Sequence, residues 1–500
     1  MKNNEKRKLL AEIRELCHKL GGENYFKIYF TMIEELGADL HRGHFNGKEP
    51  IHYNYLLILG LNFLFVKQPQ NLEFSNDKKS INDGKLVSYF TEIIKKTQIL
   101  VESLNTNDIN MLTLLSSDAN KLIESIKKII LNNNMYVVNF YNSNFLENIC
   151  KSILPLLDNS TTLYTELVNL LANTTQLEIY SERELMTLLK ESNFDSIKPF
   201  VGNYRYSKNF FNIPEKIMYY DEARMKPICK LCNGKYMLLP NKISFYYLYL
   251  SLIKIGYKVE GFEKKIGIIV EDEVIKILKK KKFNVLYGNL DQRSRKLGQD
   301  PLESDLILDS NDSIFLFEIK KKTLTTESLN YKKEFIINDI VSTYGKSQIQ
   351  LDKRTKFLET QNKITIDCSG NKVILDTTNK RIQKISLMFD DFNSLGLDFI
   401  IILIFNNIDK LKKFCNIDPK VLNKLANIKF KYPTGVIQFL DIFTFLDIVD
   451  NSDSIELLME NMYNLKSNYF FGKNTYSSWI ELKNKKKIRT NINLKELSSI

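Results

Sequence analysis

Two acidic residues and a lysine, Asp305, Glu318 and Lys320, lie near the two ends of the stretch Ser304–Lys320, which reads SDLILDSNDSIFLFEIK. Its turn sequence, SNDS at Ser310–Ser313, separates two runs of strand-forming residues, and this pattern predicts a β-hairpin. If the hairpin is symmetric about the centre of the turn, Asp305 lies opposite Glu318. The same register pairs Leu308 with Phe315 and Ile307 with Leu316.

Because side chains alternate between the two faces of a strand, Asp305, Glu318 and Lys320 are expected on one face, beside the apolar Ile307 and Leu316. Directly opposed carboxylates repel each other, and an unpaired charge among apolar neighbours costs on the order of several kcal/mol. A divalent cation, Mg²⁺ or Mn²⁺, removes this cost, since it takes carboxylate oxygens together with water and phosphate oxygens. Lys320 could then neutralise a phosphodiester or orient an attacking water.

The same hairpin could instead be a solvent-facing edge of a sheet. Lys320 would then pair with Glu303, its partner in the same register, as charges across neighbouring strands commonly do.

The preceding segment, about 267–282, has the apolar periodicity of an amphipathic helix. At about 100° per residue, Glu271 is expected on the apolar side, whereas Asp272 and Glu273 are expected to face solvent. The apolar residues on the side of Glu271 are Ile268, Val274, Ile275 and Leu278. A carboxylate on such a face is expected beside a cation or a strong donor.

These segments resemble the PD-(D/E)xK, or restriction-endonuclease-like, nucleases. GIIVEDEV at Gly267–Val274 is similar to their Gly-x-x-apolar-Glu helix, ESDLIL to their strand with a metal-binding Asp, and FEIK to their (D/E)-x-K strand. The resemblance covers roughly residues 260–445. The Pro of the family name is not adjacent to Asp305, although Pro301 lies four residues earlier.

The resemblance implies roles for individual residues and a fold. Asp305 and Glu318 would be metal ligands, Lys320 the catalytic lysine, and Glu271 an acid that supports or joins the metal shell. Gln348 would be a catalytic residue on the helix that follows the lysine strand. The implied fold is an α/β core of αβββαβ order with a mixed sheet.

Three regions are expected along the chain. Residues 1–215 have the pattern of a predominantly α-helical domain, and the sequence leaves open whether it serves recognition, regulation or oligomerisation. Residues 216–450 should form the α/β domain, and residues 451–500 a helical segment with a basic tail. Within the α/β domain, the apolar run Phe399–Phe405 is expected to be a strand covered on both faces.

The charge and hydropathy of the chain restrict its partners. The formal net charge of +12 suits a polyanion such as nucleic acid. The polar loop Gly288–Leu302 carries Arg293, Arg295 and Lys296, which could contact a phosphate backbone. The N-terminus lacks the apolar core of a secretion signal, and no apolar stretch reaches the roughly 20 residues of a membrane span. A cytoplasmic protein without a membrane partner is therefore expected.

The resemblance and the charge together predict a metal-dependent nuclease, which the resemblance further implies to act on DNA rather than RNA in restriction, anti-phage defence or repair. One alternative is a non-catalytic nucleic-acid-binding or scaffold protein on a degenerate nuclease fold. Another is a helical interaction protein whose activity lies in residues 1–215. A protein partner or self-association through the N-terminal region is compatible with all three.

Overall fold

The computed structural model describes residues 3–36, 53–62, 81–104, 121, 142–157, 161–202, 226–290, 302–322, 325–329, 332–368, 370–389, 398–412, 416–428, 439–467, 479 and 482–483. The chain is a mixed α/β protein with a helical N-terminal region, as predicted. It divides into two compact units: among the described residues, 3–104 and 142–265 form the first, and 121 together with 266–483 forms the second.

Helices make up most of the N-terminal unit. The helix α1 packs against α4 through apolar residues at helical spacing, and Lys96 of α4 pairs with Glu12 of α1 at 2.7 Å. Its helices are α1 (Asn3–Leu20), α2 (Gly22–Leu36), α3 (Tyr53–Asn62), α4 (Ile81–Leu104), α5 (Ser143–Ile153), α6 (Thr161–Asn173), α7 (Glu182–Leu188) and α8 (Asn241–Gly256).

This unit also contains a small four-stranded sheet, and because of it the unit extends beyond the predicted boundary between residues 215 and 216. Its strands are β1 (Glu178–Tyr180), β2 (Val201–Gly202), β3 (Ile228–Lys230) and β4 (Tyr236–Leu238), in the order β1-β4-β3-β2. The strands β3 and β4 pair with strands from the helical region, and α8 packs against α5 and α6. Residues 226–265 therefore belong to the N-terminal unit, because their strand and helix partners lie there.

The second unit contains a seven-stranded sheet and the remaining helices. The strands are β5 (Val285–Asn289), β6 (Glu303–Asp309), β7 (Ser313–Lys320), β8 (Lys363–Cys368), β9 (Asn371–Asp376), β10 (Arg381–Met388) and β11 (Phe439–Asp441). The helices are α9 (Phe262–Lys280, which crosses the division), α10 (Thr326–Leu329), α11 (Lys333–Ile340), α12 (Lys346–Glu359), α13 (Asp398–Asn406), α14 (Ile408–Leu411), α15 (Pro419–Ala426), α16 (Ile442–Asp450) and α17 (Ile455–Ser467).

The sheet has the order β11-β10-β7-β6-β5-β8-β9. Strands β5, β6 and β7 form an antiparallel meander, whereas β10 runs parallel to β7 and β11 parallel to β10. The carboxyl ends of the three parallel strands, at Lys320, Met388 and Asp441, therefore share one edge of the sheet. The amino-terminal end of the antiparallel β6 reaches the same edge.

The β6–β7 hairpin has the predicted register. Leu308 pairs with Phe315 and Ile307 with Leu316, and the recorded pairing runs as far as Leu306 and Phe317. Ser310 closes the turn, since its side chain accepts a hydrogen bond from the Ser313 amide at 3.1 Å. Periodicity and turn chemistry were sufficient for this prediction.

The run Phe399–Phe405 lies in helix α13, so its prediction as a strand is wrong. Ile401, Ile402, Ile404 and Phe405 are buried in a cluster with residues of α11 and β11. A helix buried on several sides is apolar around its circumference. A short, continuously apolar sequence therefore fits this helix as well as a covered strand.

The buried face of α9 is rotated from its predicted position. It consists of residues four apart, namely Phe262, Ile266, Val270, Val274 and Leu278. Ile268, expected on the apolar face, is 48% exposed, and Glu273, expected in solvent, is 4% exposed and pairs with Lys276 at 3.0 Å. Asp272 is exposed as expected, and Glu271 lies at the border of the buried face.

One long helical region follows β7. A π-helical turn, Val341–Gly345, joins α11 to α12. Helix α12 packs on β7 and β10, and its Leu351 and Leu358 are buried with Ile307 and Leu316 of the hairpin. The hairpin β8–β9, which was not predicted, lies between α12 and β10 in the chain.

Two further expectations concern the chain end and membranes. The helix predicted after residue 450 is present as α17, whereas the basic tail 484–500 lies outside the described residues. None of the helices in the described ranges is both long enough and apolar enough to cross a membrane.

Candidate active site

The predicted carboxylates meet at the edge of the sheet where the parallel strands end. Glu318 on β7 is 2% exposed, and the side chain of Asp305 on β6 is 17% exposed. One oxygen of Asp305, Oδ2, accepts a hydrogen bond from the backbone amide of Ile319 at 2.8 Å. Because Ile319 directly follows Glu318, this bond holds Asp305 next to the second carboxylate.

Both carboxylates contact one guanidinium. Arg354 on α12 is 5% exposed, and it forms an ion pair with Glu318 Oε2 and lies 3.9 Å from Asp305 Oδ1. Two acids on neighbouring strands thus converge on a single positive group. The solvent-facing edge considered from the sequence is excluded for Glu318, which is buried.

The sequence interpretation missed Arg354, although a signal for it exists. Arg354 lies three residues after Leu351 and four before Leu358, so it is a single charge on the apolar face of α12. A charge in that position needs a buried partner of opposite sign. The same reasoning, applied to α9, drew attention to Glu271.

Lys320 lies in the site and is held by two partners. Its Nζ donates to Glu318 Oε1 and, at 2.7 Å, to Gln350 Oε1 of α12. The alternative, in which Lys320 pairs with Glu303 at a solvent-facing edge, does not hold, because Lys320 contacts Glu318 and Gln350. The Lys320 side chain is 25% exposed and thus only partly buried.

Glu271 joins this group electrostatically. Burial and the nearby charge of Glu318 raise the pKa of Glu271 to about 7, against the opposing influence of Lys320 and Arg354. Its Oε1 lies 3.9 Å from the position that a Cβ on Gly267 would take, as does the side chain of Lys321. The Gly-x-x-apolar-Glu segment of α9 therefore faces the end of β7.

The pKa of Asp305 is also raised, to about 8. Burial is the main cause, followed by the charge of Glu318, and Glu271 adds to the effect. Arg354 and the Ile319 amide oppose the rise. The charge of Glu318 thus raises the pKa of both Asp305 and Glu271, and a divalent cation at this position would favour the charged form of each carboxyl group.

Gln348 forms no hydrogen bond with the carboxylates of the site. It is fully buried on α12, and its amide donates to Ser386 Oγ of β10 at 2.9 Å, while Oε1 has no hydrogen-bond partner. Ser386 pairs with Glu318 in the sheet register. Among the described residues, Gln350 is the glutamine of α12 that contacts Lys320. The predicted phosphate-binding residues Arg293, Arg295 and Lys296 lie outside the described residues.

The donor set is compatible with a hard divalent cation. Within the described ranges, no group of three or more His, Cys, Asp or Glu side chains has the arrangement of a complete metal site. Mg²⁺, however, needs only one or two carboxylates, with waters and phosphate oxygens as its other ligands. Asp305 and Glu318 already face one common cationic group, Arg354. Two carboxylates, and not a complete set of protein ligands, would therefore hold the cation.

Comparisons with known proteins identify no relative: no family model, no curated protein and no solved structure matches this chain.

Proposed function

We propose that the second unit is a metal-dependent nuclease that hydrolyses phosphodiester bonds, with DNA as the favoured substrate. The observation that carries the proposal is the convergence of Asp305 and Glu318 on one buried cationic position, with Lys320 beside them. The order of elements supports it, because α9, β5, β6, β7, α12 and β10 follow the αβββαβ order expected from the resemblance, with the β8–β9 hairpin inserted.

The position of the site in the sheet gives independent support. Ligand sites of open α/β sheets lie at the carboxyl ends of parallel strands. Lys320 ends β7 at that edge, and Glu318 precedes it by two residues. Conversely, a buried ion pair that served only stability would be a costly arrangement, since apolar residues of similar volume are often as stabilising.

The residues of the chain would divide the chemistry as follows. Asp305 and Glu318 would hold the cation, and Glu271 would support them from α9. When bound, such a cation supplies Lewis-acid polarisation of the phosphodiester and lowers the pKa of the attacking water. Lys320 would neutralise charge on the phosphate or orient the water, and Gln350 keeps its ammonium in place. Arg293, Arg295 and Lys296, which precede β6 in the sequence, remain our proposal for contacts with the nucleic-acid backbone.

A cleavage assay on the purified full chain tests the proposal. Plasmid, linear duplex, single-stranded DNA and RNA are incubated with Mg²⁺ or Mn²⁺, with EDTA as the metal-free control. We expect cleavage that is lost in Asp305→Ala and Lys320→Ala and retained in Lys353→Ala, since Lys353 is an exposed lysine on α12. Cleavage that persists in Lys320→Ala contradicts the assignment. Binding of nucleic acid without cleavage favours the non-catalytic alternative.

A further inference from the structure

Arg354 pairs with carboxylate oxygens of Asp305 and Glu318 that a metal ion would need as ligands. Among the described residues, each of the four carboxylate oxygens of Asp305 and Glu318 has a positive or N–H neighbour. Glu318 Oε1 accepts from Lys320 and Oε2 from Arg354, whereas Asp305 Oδ2 accepts from the Ile319 amide and Oδ1 faces Arg354 at 3.9 Å. In this arrangement the guanidinium is the shared counter-ion of both acids.

A guanidinium and a divalent cation that both contact Asp305 and Glu318 would repel each other, and this repulsion costs free energy. Their mutual repulsion is strong at a separation of a few ångströms in a partly desolvated site. Of the two, the guanidinium can move, because it lies at the end of a long side chain, while its helix α12 is fixed by the buried Leu351 and Leu358. The displaced charge then needs another anion, because a buried, unpaired charge is costly.

We propose that Arg354 is an internal competitor of the metal ion: the cation displaces it from Glu318 and Asp305, and the freed guanidinium then binds a phosphate of the nucleic acid. The inference rests on the nuclease function proposed above and concerns the regulation of that same site. Phosphate is the matching anion, because the planar fork of a guanidinium binds two phosphate oxygens at once. Lys320 stays with Gln350, so Arg354 is the group that changes partners.

This exchange couples two binding events through one side chain. The metal ion raises the affinity for nucleic acid by releasing Arg354, and nucleic acid raises the affinity for the metal ion by holding Arg354 away. Thermodynamic reciprocity requires the two factors to be equal. Without substrate the site thus has a reduced affinity for metal ions, because the chain fills it with its own cation.

Two titrations with Arg354→Met and the neighbouring exposed control Lys353→Met test the proposal. Mn²⁺ binding without nucleic acid is measured from the electron paramagnetic resonance of free Mn²⁺. Binding of a fluorescein-labelled DNA duplex is measured by anisotropy with and without Ca²⁺, and the duplex is checked on a gel for cleavage. We expect Arg354→Met to bind Mn²⁺ about tenfold more tightly, within the usual range of such couplings, and to lose the Ca²⁺-induced gain in duplex affinity. Lys353→Met should behave like the unmodified chain in both titrations.

Arg354→Lys keeps the experiment decisive if Arg354→Met fails to fold, since it retains the buried positive charge. It should still compete with Mn²⁺, but it should lose most of the Ca²⁺-induced gain in duplex affinity, because an ammonium lacks the fork. Unchanged or weaker Mn²⁺ binding by Arg354→Met overturns the inference, as does an Arg354→Lys protein that retains the full gain. If the unmodified chain still cleaves DNA, that failure leaves the nuclease function standing. Conversely, tighter Mn²⁺ binding and lost coupling in a chain that cuts no nucleic acid would support the role of Arg354 and contradict hydrolysis.

Discussion

Asp305 accepts the backbone amide of Ile319 across the hairpin, with 2.8 Å between Oδ2 and the amide nitrogen. The recorded backbone pairing of the two strands ends just before this point, at Leu306 and Phe317. The carboxylate thus replaces a strand-to-strand hydrogen bond at the edge of the sheet. Its position beside Glu318 is fixed by the backbone, so the two proposed metal ligands are held next to each other by the fold itself.

The pH dependence of stability follows from the raised pKa of Asp305. Its pKa is about 8 in the folded chain, far above the ordinary value of about 3.9 for an unfolded chain. Between these values the folded state binds more protons, so stability without metal should fall as the pH rises from about 4 to about 8. Glu271, with a pKa of about 7, contributes in the same direction.

Thermal melts at pH 6 and pH 9, with and without Mg²⁺, check this expectation. Because the proton competes with the metal ion for the carboxylate, stabilisation by Mg²⁺ should be larger at pH 9. Asp305→Asn should reduce both the fall of stability with rising pH and the pH dependence of stabilisation by Mg²⁺. Asp376→Asn is the matched control, because hydrogen bonds from Thr378 lower the pKa of Asp376, which therefore does not titrate in this range. Equal effects of the two substitutions would contradict the argument.

The three adjacent acids of α9 should differ in what their substitution changes. Glu271→Gln should lower metal-dependent cleavage about 10- to 100-fold, as the loss of a group supporting metal ligands does, since Glu271 interacts with Glu318 and Lys320. Asp272→Asn should change little, because Asp272 is exposed. Glu273→Gln should instead lower the free energy of unfolding, since Glu273 is buried with its ion pair to Lys276.

Initial cleavage rates and urea unfolding, measured on the same three proteins, separate these outcomes. Three equal losses of rate would mean that the helix contributes only through its overall charge.

Two glutamines of α12 should have separable roles. Gln350→Ala should lower kcat about tenfold, because it releases the ammonium of Lys320, whereas Lys320→Ala should cost roughly 10²–10³-fold. Gln348→Leu should lower stability by at most about 1 kcal/mol, because it removes one hydrogen bond to Ser386 while Ser386 keeps its bond to Ser347. Single-turnover rates and urea unfolding provide the two readouts. If Gln348→Leu loses rate at unchanged stability, the catalytic role implied by the resemblance applies to Gln348.

Two glycines with positive φ should differ in how much stability is lost when each is replaced by alanine. Gly288 of β5 has a φ of +108°, and a Cβ there would lie 2.3 Å from the carbonyl oxygen of Asp367. Gly370 has a φ of +90° and open space around it. Gly370→Ala should therefore cost only backbone strain, roughly 1–2 kcal/mol. Gly288→Ala should cost clearly more, because β8 must move away, and the free energies of unfolding in urea measure the difference. Similar losses in the free energy of unfolding would show that β8 can move away from residue 288 at little cost.

The sequence predicted the hairpin of the candidate site because its information is local. Alternation along two strands and the four-residue turn Ser310–Ser313 were enough to place Asp305 near Glu318. The helix α13 shows the opposite case. Its apolar run Phe399–Phe405 has no period, and only the burial of several of its sides, seen in the structure, distinguishes a helix from a strand.

The errors on α9 and the omission of Arg354 have a common physical origin. A helical face is defined by all residues at spacings of three and four, and the prediction for α9 left out Phe262, Ile266 and Val270. For Arg354 the missing information was its partner. Glu318 lies 36 positions earlier in the chain, and only the packing of α12 on β7 brings the two together.

The π-helical turn Val341–Gly345 has a consequence for how the site is assembled. A π turn holds one residue more than an α turn, so it shifts the phase of all that follows by about 100° relative to an uninterrupted helix. On the α11 side of the turn, Asp339 binds Lys322 at 2.9 Å and Ser328 at 2.6 Å. On the α12 side, Gln350 and Arg354, one turn apart, reach Lys320 and Glu318. Because of the inserted residue, α11 and α12 direct their polar side chains differently, and each helix contacts a different stretch of the chain.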